Sequence, residues 1–571
     1  MDAERLLNEL LRAEDENLVD RILEREGFGL ATTQHWRPLG DIPNNRAVVT
    51  NQQTEATAAL VEKITNGIDA VLISECLARG VDPKGPGAPP TMTSAVGRFF
   101  DVRDGLISNL DKAARTELAK KLQIVAVGEK VSPCYLIIDK GEGQCPGRFP
   151  DTFLSLIREN KVGIPFVQGK FNCGGTGVLP FCGKHKMQLI LSRRNPDLVD
   201  RDDPSDGSWG FTIVRRLKPS ATRPSSMYVY LAPDGAVPSF AATEVAVLPE
   251  DRSTIAPRPY AVGLHYGTCI KLYNYEWKAH SIATTDMRYE LERFLHSPCL
   301  PFRITETRKY TANFFSTTVS GVWASIDSEE VPEDSKVEED FHKAYGELDL
   351  SEIGALPFRL TVYKESVNVR HVPHGVFFAY NGQVHGSLPS DFITRQLKFD
   401  YLKDHLLVSI DCTNMDAAVR EEFFMPSRDR VRKNEVYDQI YEQLVEALRD
   451  HPGLRQLNAE RHKKAIEQTL SNDEETKNLF NELLKADPLL ARLFGSGDRL
   501  FTKTGPGPTV PFVGKQFPTF FRLTKNPANG LIKTCPVNLT CRVEFETDAG
   551  ERILQADRQS GYDHRRSPKS I

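Results

Sequence analysis

The run Ala59-Leu-Val-Glu-Lys-Ile-Thr-Asn-Gly-Ile-Asp-Ala70 constrains the chain most, because its apolar residues demand burial while its polar ones share one face. At about 100° per residue, positions i, i+4 and i+7 of a helix fall together, so Glu62, Asn66 and Asp69 form a single polar stripe. Leu60, Val61, Ile64, Ile68, Val71 and Leu72 supply the buried remainder. The stripe therefore points into a cleft or a solvent gap and not into a uniform core. A carboxylate one turn from a carboxamide can orient or deprotonate a water while the amide oxygen serves Mg²⁺, a hard cation that takes few protein ligands beside substrate phosphates. The plain alternative is a solvated helix face, and the motif alone does not choose between the two.

Three later segments add chemistry. Tyr135-Leu-Ile-Ile-Asp-Lys-Gly-Glu-Gly143 reads as a short buried strand running into Asp139-x-Gly141-x-Gly143, whose glycines let the backbone approach a ligand closely. Gly169-Lys-Phe-Asn-Cys-Gly-Gly-Thr-Gly177 is a glycine-rich loop whose bare amides can cradle phosphates, as oriented backbone N–H groups do. Gly267-Thr-Cys-Ile-Lys-Leu272 reads as a strand with Thr268 at its start, and by itself it is an ordinary edge strand.

Taken in this order the four resemble the GHKL superfamily of ATPases: the ninety-kilodalton heat-shock chaperones, MutL, gyrase B, MORC ATPases and sensor histidine kinases. The likeness is greatest to the chaperone, MutL and MORC branch. The family's Glu-x-x-x-Asn-x-x-Asp-Ala is matched by Glu62, Asn66, Asp69 and Ala70, and its Asp-x-Gly-x-Gly by Asp139, Gly141 and Gly143. The resemblance implies Mg²⁺ and ATP as cofactors. It implies that Asp139 binds the adenine amino group, Glu62 is the general base, Asn66 the Mg²⁺ ligand, and Thr268 a support at the adenine end. Asp69, Lys170, Gly174, Gly175, Thr176 and Gly177 would complete the nucleotide site, the glycines forming part of a lid over the phosphates. The pattern departs from the family in a long spacing between Asp69 and Asp139, which implies an insertion around residues 81–121. The Gly174-Gly175 doublet after Cys173 makes the lid unlike the chaperone version. A second insertion, residues 195–261, carries strand-like Gly210-Phe-Thr-Ile-Val214 and Met227-Tyr-Val-Tyr-Leu231.

Further on, Phe358-Arg-Leu-Thr-Val-Tyr363, Gly375-Val-Phe-Phe-Ala-Tyr380 and Leu406-Leu-Val-Ser-Ile410 read as strands. Between the last two, Phe392, Ile393, Leu397, Tyr401 and Leu402 recur at helical spacing over 390–405. This is the place of the transducer domain in the superfamily. Phe424-Met-Pro-Ser-Arg-Asp-Arg430 is similar to the turn that carries a γ-phosphate arginine in the chaperones, which makes Arg428 the candidate. A planar, always-charged guanidinium suits that task. A lysine elsewhere would serve instead on the MutL and gyrase pattern, and the Arg428, Arg430, Arg432 and Lys433 cluster also reads as a solvated basic face.

The expected class is α+β: a Bergerat-type ATP-binding α/β sandwich, a transducer-like α/β domain, a helical segment and a small β module. The expected bounds are an amphipathic helical arm over 1–44, the ATP-binding domain over 45–300 and the transducer-like domain over 301–433. A helical segment follows over 434–494, then a Gly/Pro-rich linker over 495–516 and a β module with a polar tail over 517–571. The arm has Leu6, Leu7, Leu10, Leu11, Leu18, Ile22 and Leu23 at helical intervals, either packing on its own chain or, as often in the superfamily, swapping across a dimer.

With 571 residues, 26% of them charged, and a mean hydropathy of −0.37, the chain reads as a multidomain cytoplasmic protein. It shows no long apolar run and no signal-peptide core at its start. Ten scattered cysteines show no zinc-type spacing, and a net charge of −5 does not advertise nucleic-acid binding, although Arg193-Arg194 and Arg215-Arg216 form local basic pairs. The leading functional expectation is an ATP-hydrolysing conformational clamp, a homodimer by the resemblance, acting on DNA or a protein client in the manner of MutL, MORC or the chaperones. An ATP-sensing scaffold without turnover is the second, and Glu62 weighs against it. A histidine kinase is the third, disfavoured because neither His35 nor His462 stands on a helix ahead of the ATP-binding motifs.

Overall fold

The computed structural model describes residues 2–471 apart from 31–32, 157, 159, 170–173, 201–205, 222, 253–254, 279, 311–313, 329–334, 351–352 and 426–429, together with Phe521–Leu523 and Phe545–Thr547. Lys170 and Arg428 lie outside the described residues. The chain divides into two units, Met1–Asn472 and Asp473–Ile571.

Among the described residues, ten strands of the first unit form one mixed sheet. They are β1 (Trp36–Pro38), β2 (Leu122–Gly128), β3 (Pro133–Asp139), β4 (Gln188–Arg193), β5 (Trp209–Leu217), β6 (Met227–Leu231) and β7 (Ser239–Phe240). After a separate antiparallel pair, β8 (Val245–Leu248) with β9 (Val262–Leu264), come β10 (Gly267–Leu272), β11 (Phe302–Glu306) and β12 (Ser316–Val319). The order is β1-β6-β5-β4-β10-β3-β2-β11-β12, with β7 beside β5. Only β2 and β11 pair in parallel.

The near-continuous apolar run of β2 and β3 follows from burial on both faces. Ile124, Ala126, Tyr135 and Ile137 pack with the long helix Ala56–Ala78, while the alternate residues Val125, Val127, Leu136 and Ile138 pack with the two amino-terminal helices. Those helices, Ala3–Arg12 and Glu16–Arg25, are capped by Asp2 and Asp15 and bury Leu6, Leu7, Leu10, Leu11, Ile22 and Leu23 against their own sheet. The buried Lys271 of β10 fastens them: its ammonium donates to the carbonyls of Leu11 (2.6 Å) and Ala13 (2.7 Å), where the first helix ends and its backbone acceptors lack helical partners. The basic pairs noted in the sequence serve the fold. Arg215 is buried against Asp20 at 2.5 Å, and Arg193 donates to the carbonyls of Gly207, Thr243 and His265.

A second sheet in the same unit holds β13 (Ala344–Leu350), β14 (Gly354–Val362), β15 (Gly375–Tyr380), β16 (Gln383–Ser387) and β17 (Leu406–Asp411), in the order β13-β14-β17-β15-β16. The helix expected over 390–405 is only the single turn Phe392–Arg395. Lys398 takes a left-handed φ of 65°, which breaks the helix; Leu397 and Leu402 reach the core from a folded-back loop, while Tyr401, counted in the helical spacing, is exposed. Glu435–Arg449 buries Ile440, Leu444 and Leu448 as its stripe requires, and Pro452–Ser471 follows it. In the second unit, Phe521–Leu523 pairs antiparallel with Phe545–Thr547. Helices and mixed sheets thus make an α+β chain, and no helix among the described residues is long and apolar enough to cross a membrane.

Candidate functional site

The polar stripe of the Ala56–Ala78 helix is not a solvated face. Asp69 is fully buried and Glu62 nearly so, whereas Asn66 is half-buried. Asp69 accepts three donors: the backbone N–H of Gln168 (3.0 Å), the N–H of Gly169 (2.9 Å) and the ammonium of Lys161 (2.9 Å). Such a set satisfies a carboxylate that has no access to water. It also ties the start of the glycine-rich loop to the helix. The same Lys161 ammonium donates to Asn66 Oδ1 at 3.0 Å.

Across from the helix, β3 ends at Asp139, which pairs with Thr268 of β10. The chain then turns through Gly141, whose N–H donates to Asp139 Oδ1 at 3.0 Å. Gly141 is tight against the helix, because a Cβ there would meet Ala70, and Gly143 has a φ of 62° with the carbonyl of Arg193 where its Cβ would be. Burial pushes the Asp139 carboxyl up to about 7, against the opposing pull of the Gly141 N–H and of Lys161. Ser192 of β4 donates to the Gly267 carbonyl (2.9 Å), accepts from the Gln144 N–H (3.0 Å) and stands 3.1 Å from the Thr268 hydroxyl. With the Ser192 proton on Gly267, Thr268 is the donor of that last bond and keeps its lone pairs for a ligand.

These groups surround a cavity of about 350 Å³. Asn66 and Gly67 of the helix, Asp139, Gly143, Thr268 and Gly175 line it, with Ile137, Ile190 and Ile270 supplying an apolar floor. Its mostly apolar wall with a few convergent polar groups is the build of a small-molecule site. The lid residues divide. Gly174–Thr176 forms one 3-10 turn, Gly175 reaches the cavity, and Thr176 is buried and donates to Gln52 at 3.0 Å, while Gly177 packs near Gln53. Glu62 lies one turn further along the helix and is not among the described residues that line the cavity.

Four residues of the site carried no signal in the sequence. Lys161 and Lys63 both line the cavity, and burial lowers the Lys63 ammonium to about 8. Gln168 donates from its side chain to Gln383 (2.8 Å) and to the Tyr380 carbonyl (3.1 Å), and the Thr65 hydroxyl of the helix shares its one proton between the Val61 carbonyl (3.0 Å) and the same Gln383 oxygen (3.1 Å). The β15–β16 hairpin of the second sheet therefore touches both the helix and the lid loop. His385 of that hairpin packs edge-on against Phe424 at 5.2 Å, and Phe424 bridges to Val431 at the base of the segment that carries Arg428. Contacts between residues so distant in sequence leave no periodic pattern to read.

Asn66 presents a hard oxygen at the cavity wall, which fits a cation that draws its remaining ligands from phosphates and water. Among the described residues no cluster of three or more His, Cys, Asp or Glu side chains is placed to hold a metal ion. No protein-family model matches the chain, and no curated protein matches it.

Proposed function

We propose that the chain binds Mg²⁺-ATP in the 350 Å³ cavity and hydrolyses it, as a Bergerat-type ATPase with a transducer-like second sheet. One observation carries the reading. Asn66, Asp139, Gly143, Gly175 and Thr268 come from four segments spread over about 200 residues and line a single cavity, which supports the reading that the GHKL resemblance suggests.

In this reading the Asp139 carboxylate accepts the adenine amino group and Thr268 supports the same end of the base. Ile137, Ile190 and Ile270 hold the ring and exclude water. Asn66 Oδ1 holds Mg²⁺, which when bound neutralises phosphate charge. The Gly175 amide faces the phosphates at the cavity wall, Gly174, Thr176, Gly177 and Lys170 join it in the lid by the resemblance alone, and Asp69 anchors the base of that loop. Glu62 takes the proton from the attacking water as its oxygen bonds to the γ-phosphorus and the bond to the β-phosphate oxygen breaks, leaving ADP and phosphate. Arg428, outside the described residues, is the γ-phosphate candidate by the resemblance alone, and the hairpin of the second sheet contacts the lid loop through Gln168. A nucleotide-gated homodimeric clamp on DNA or a protein client, working in the cytoplasm, is the larger role that fits.

A second reading, an ATP sensor without turnover, is favoured by the position of Glu62 away from the cavity wall. Nucleotide binding and Mg²⁺-dependent turnover by the full chain, Asp139→Ala and Glu62→Ala separate the two. The ATPase reading expects binding to be lost in the first variant, and turnover but not binding in the second. Binding by the parent chain with no turnover leaves the sensor, and no binding by the parent chain overturns both.

A further inference from the structure

A cation already sits on the oxygen that the nucleotide reading reserves for Mg²⁺. The Lys161 ammonium is 3.0 Å from Asn66 Oδ1 and 2.9 Å from Asp69 Oδ2, and its side chain, 21% exposed, reaches this position from the cavity wall. A bound Mg²⁺ needs its oxygen ligands at about 2.0–2.1 Å. An ammonium hydrogen-bonded to the same amide oxygen takes one of its two lone pairs and sets a like charge about 3 Å from it, which opposes a second cation there.

Resting on the nucleotide reading above, we propose that Lys161 is an internal counter-cation that occupies the Asn66 oxygen in the empty site and competes with Mg²⁺ for it. Metal-loaded nucleotide enters only as the ammonium leaves Asn66, so the apparent Mg²⁺ affinity is lowered by the fraction of molecules with Lys161 in place. Asp69 keeps its two backbone donors throughout, so the lid loop stays anchored while the ammonium moves.

The test is calorimetric titration of ATP into the full chain at a series of free Mg²⁺ concentrations, reading the Mg²⁺ concentration at which nucleotide affinity is half-enhanced. Lys161→Met is expected to lower that midpoint by about fivefold or more, the range of ordinary coupling between sites, while Lys161→Arg stays near the parent value. Lys161→Gln removes the charge but keeps a donor for Asp69, and gives the same readout if the methionine variant does not fold. A midpoint unchanged or raised in the uncharged variants, with ATP still bound, overturns the competition and leaves the nucleotide reading standing. Absence of ATP binding by the parent chain at every Mg²⁺ concentration overturns the nucleotide reading and this proposal with it.

Discussion

At the scale of single residues, Asp139 is the most exposed to test. Its carboxyl titrates near 7 in the folded chain against an ordinary value of 3.8, so the folded state holds the proton more tightly than the unfolded one. That contribution is fully present below pH 4 and is lost as pH rises through 7. Asp139→Asn keeps an acceptor for the Gly141 N–H and has no charge to bury. Its unfolding free energy, from denaturant titration, is expected to exceed that of the parent chain by a margin that grows between pH 4 and 7 and then levels, reaching at most roughly 4 kcal/mol at about 1.36 kcal/mol per pKa unit. A margin flat across this range would mean that the carboxyl is not buried. Gly143→Ala is expected to act in the opposite direction. Forcing a side chain at φ 62° against the Arg193 carbonyl should lower stability by about 1–3 kcal/mol or more, measured by denaturant unfolding.

At the scale of elements, the parts governed by period were legible. The stripe Glu62, Asn66 and Asp69 places its helix, and the apolar run of β3 and the short Gly267–Leu272 segment place two strands with Asp139 and Thr268 at neighbouring ends. The segment 390–405 misleads because a loop that sends Leu397 and Leu402 into the core looks like a helix to any reading based on spacing. Lys161, Gln168 and Gln383 were invisible for a different reason: each acts through a partner far away in the chain, and a lone polar residue has no period. The amino-terminal helices allow a test at this scale. Lys271→Met leaves the Leu11 and Ala13 carbonyls buried without their donor, a loss of about 1–3 kcal/mol for each such group. Hydrogen exchange over residues 3–25 is expected to accelerate while the Ala56–Ala78 helix keeps its protection, and equal acceleration in both would show that the helices do not open separately.

At the scale of the whole molecule, the two sheets of the first unit are joined at the site itself. Gln168 from the loop donates to the side-chain oxygen of Gln383 on the second sheet, and the Thr65 hydroxyl from the helix stands 3.1 Å from the same oxygen. Gln383→Ala is expected to leave ATP affinity within a few-fold of the parent chain but to abolish any ATP-induced change in hydrogen exchange along β15 and β16. Retention of that change would place the connection elsewhere. The Thr65 proton has two acceptors within reach, the Val61 carbonyl at 3.0 Å on its own helix and the Gln383 oxygen at 3.1 Å, so the tie between helix and second sheet is a switch with two settings while Gln168 holds the loop. Such a tie changes in a discrete step rather than as a graded strain, and the second sheet receives a yes or a no.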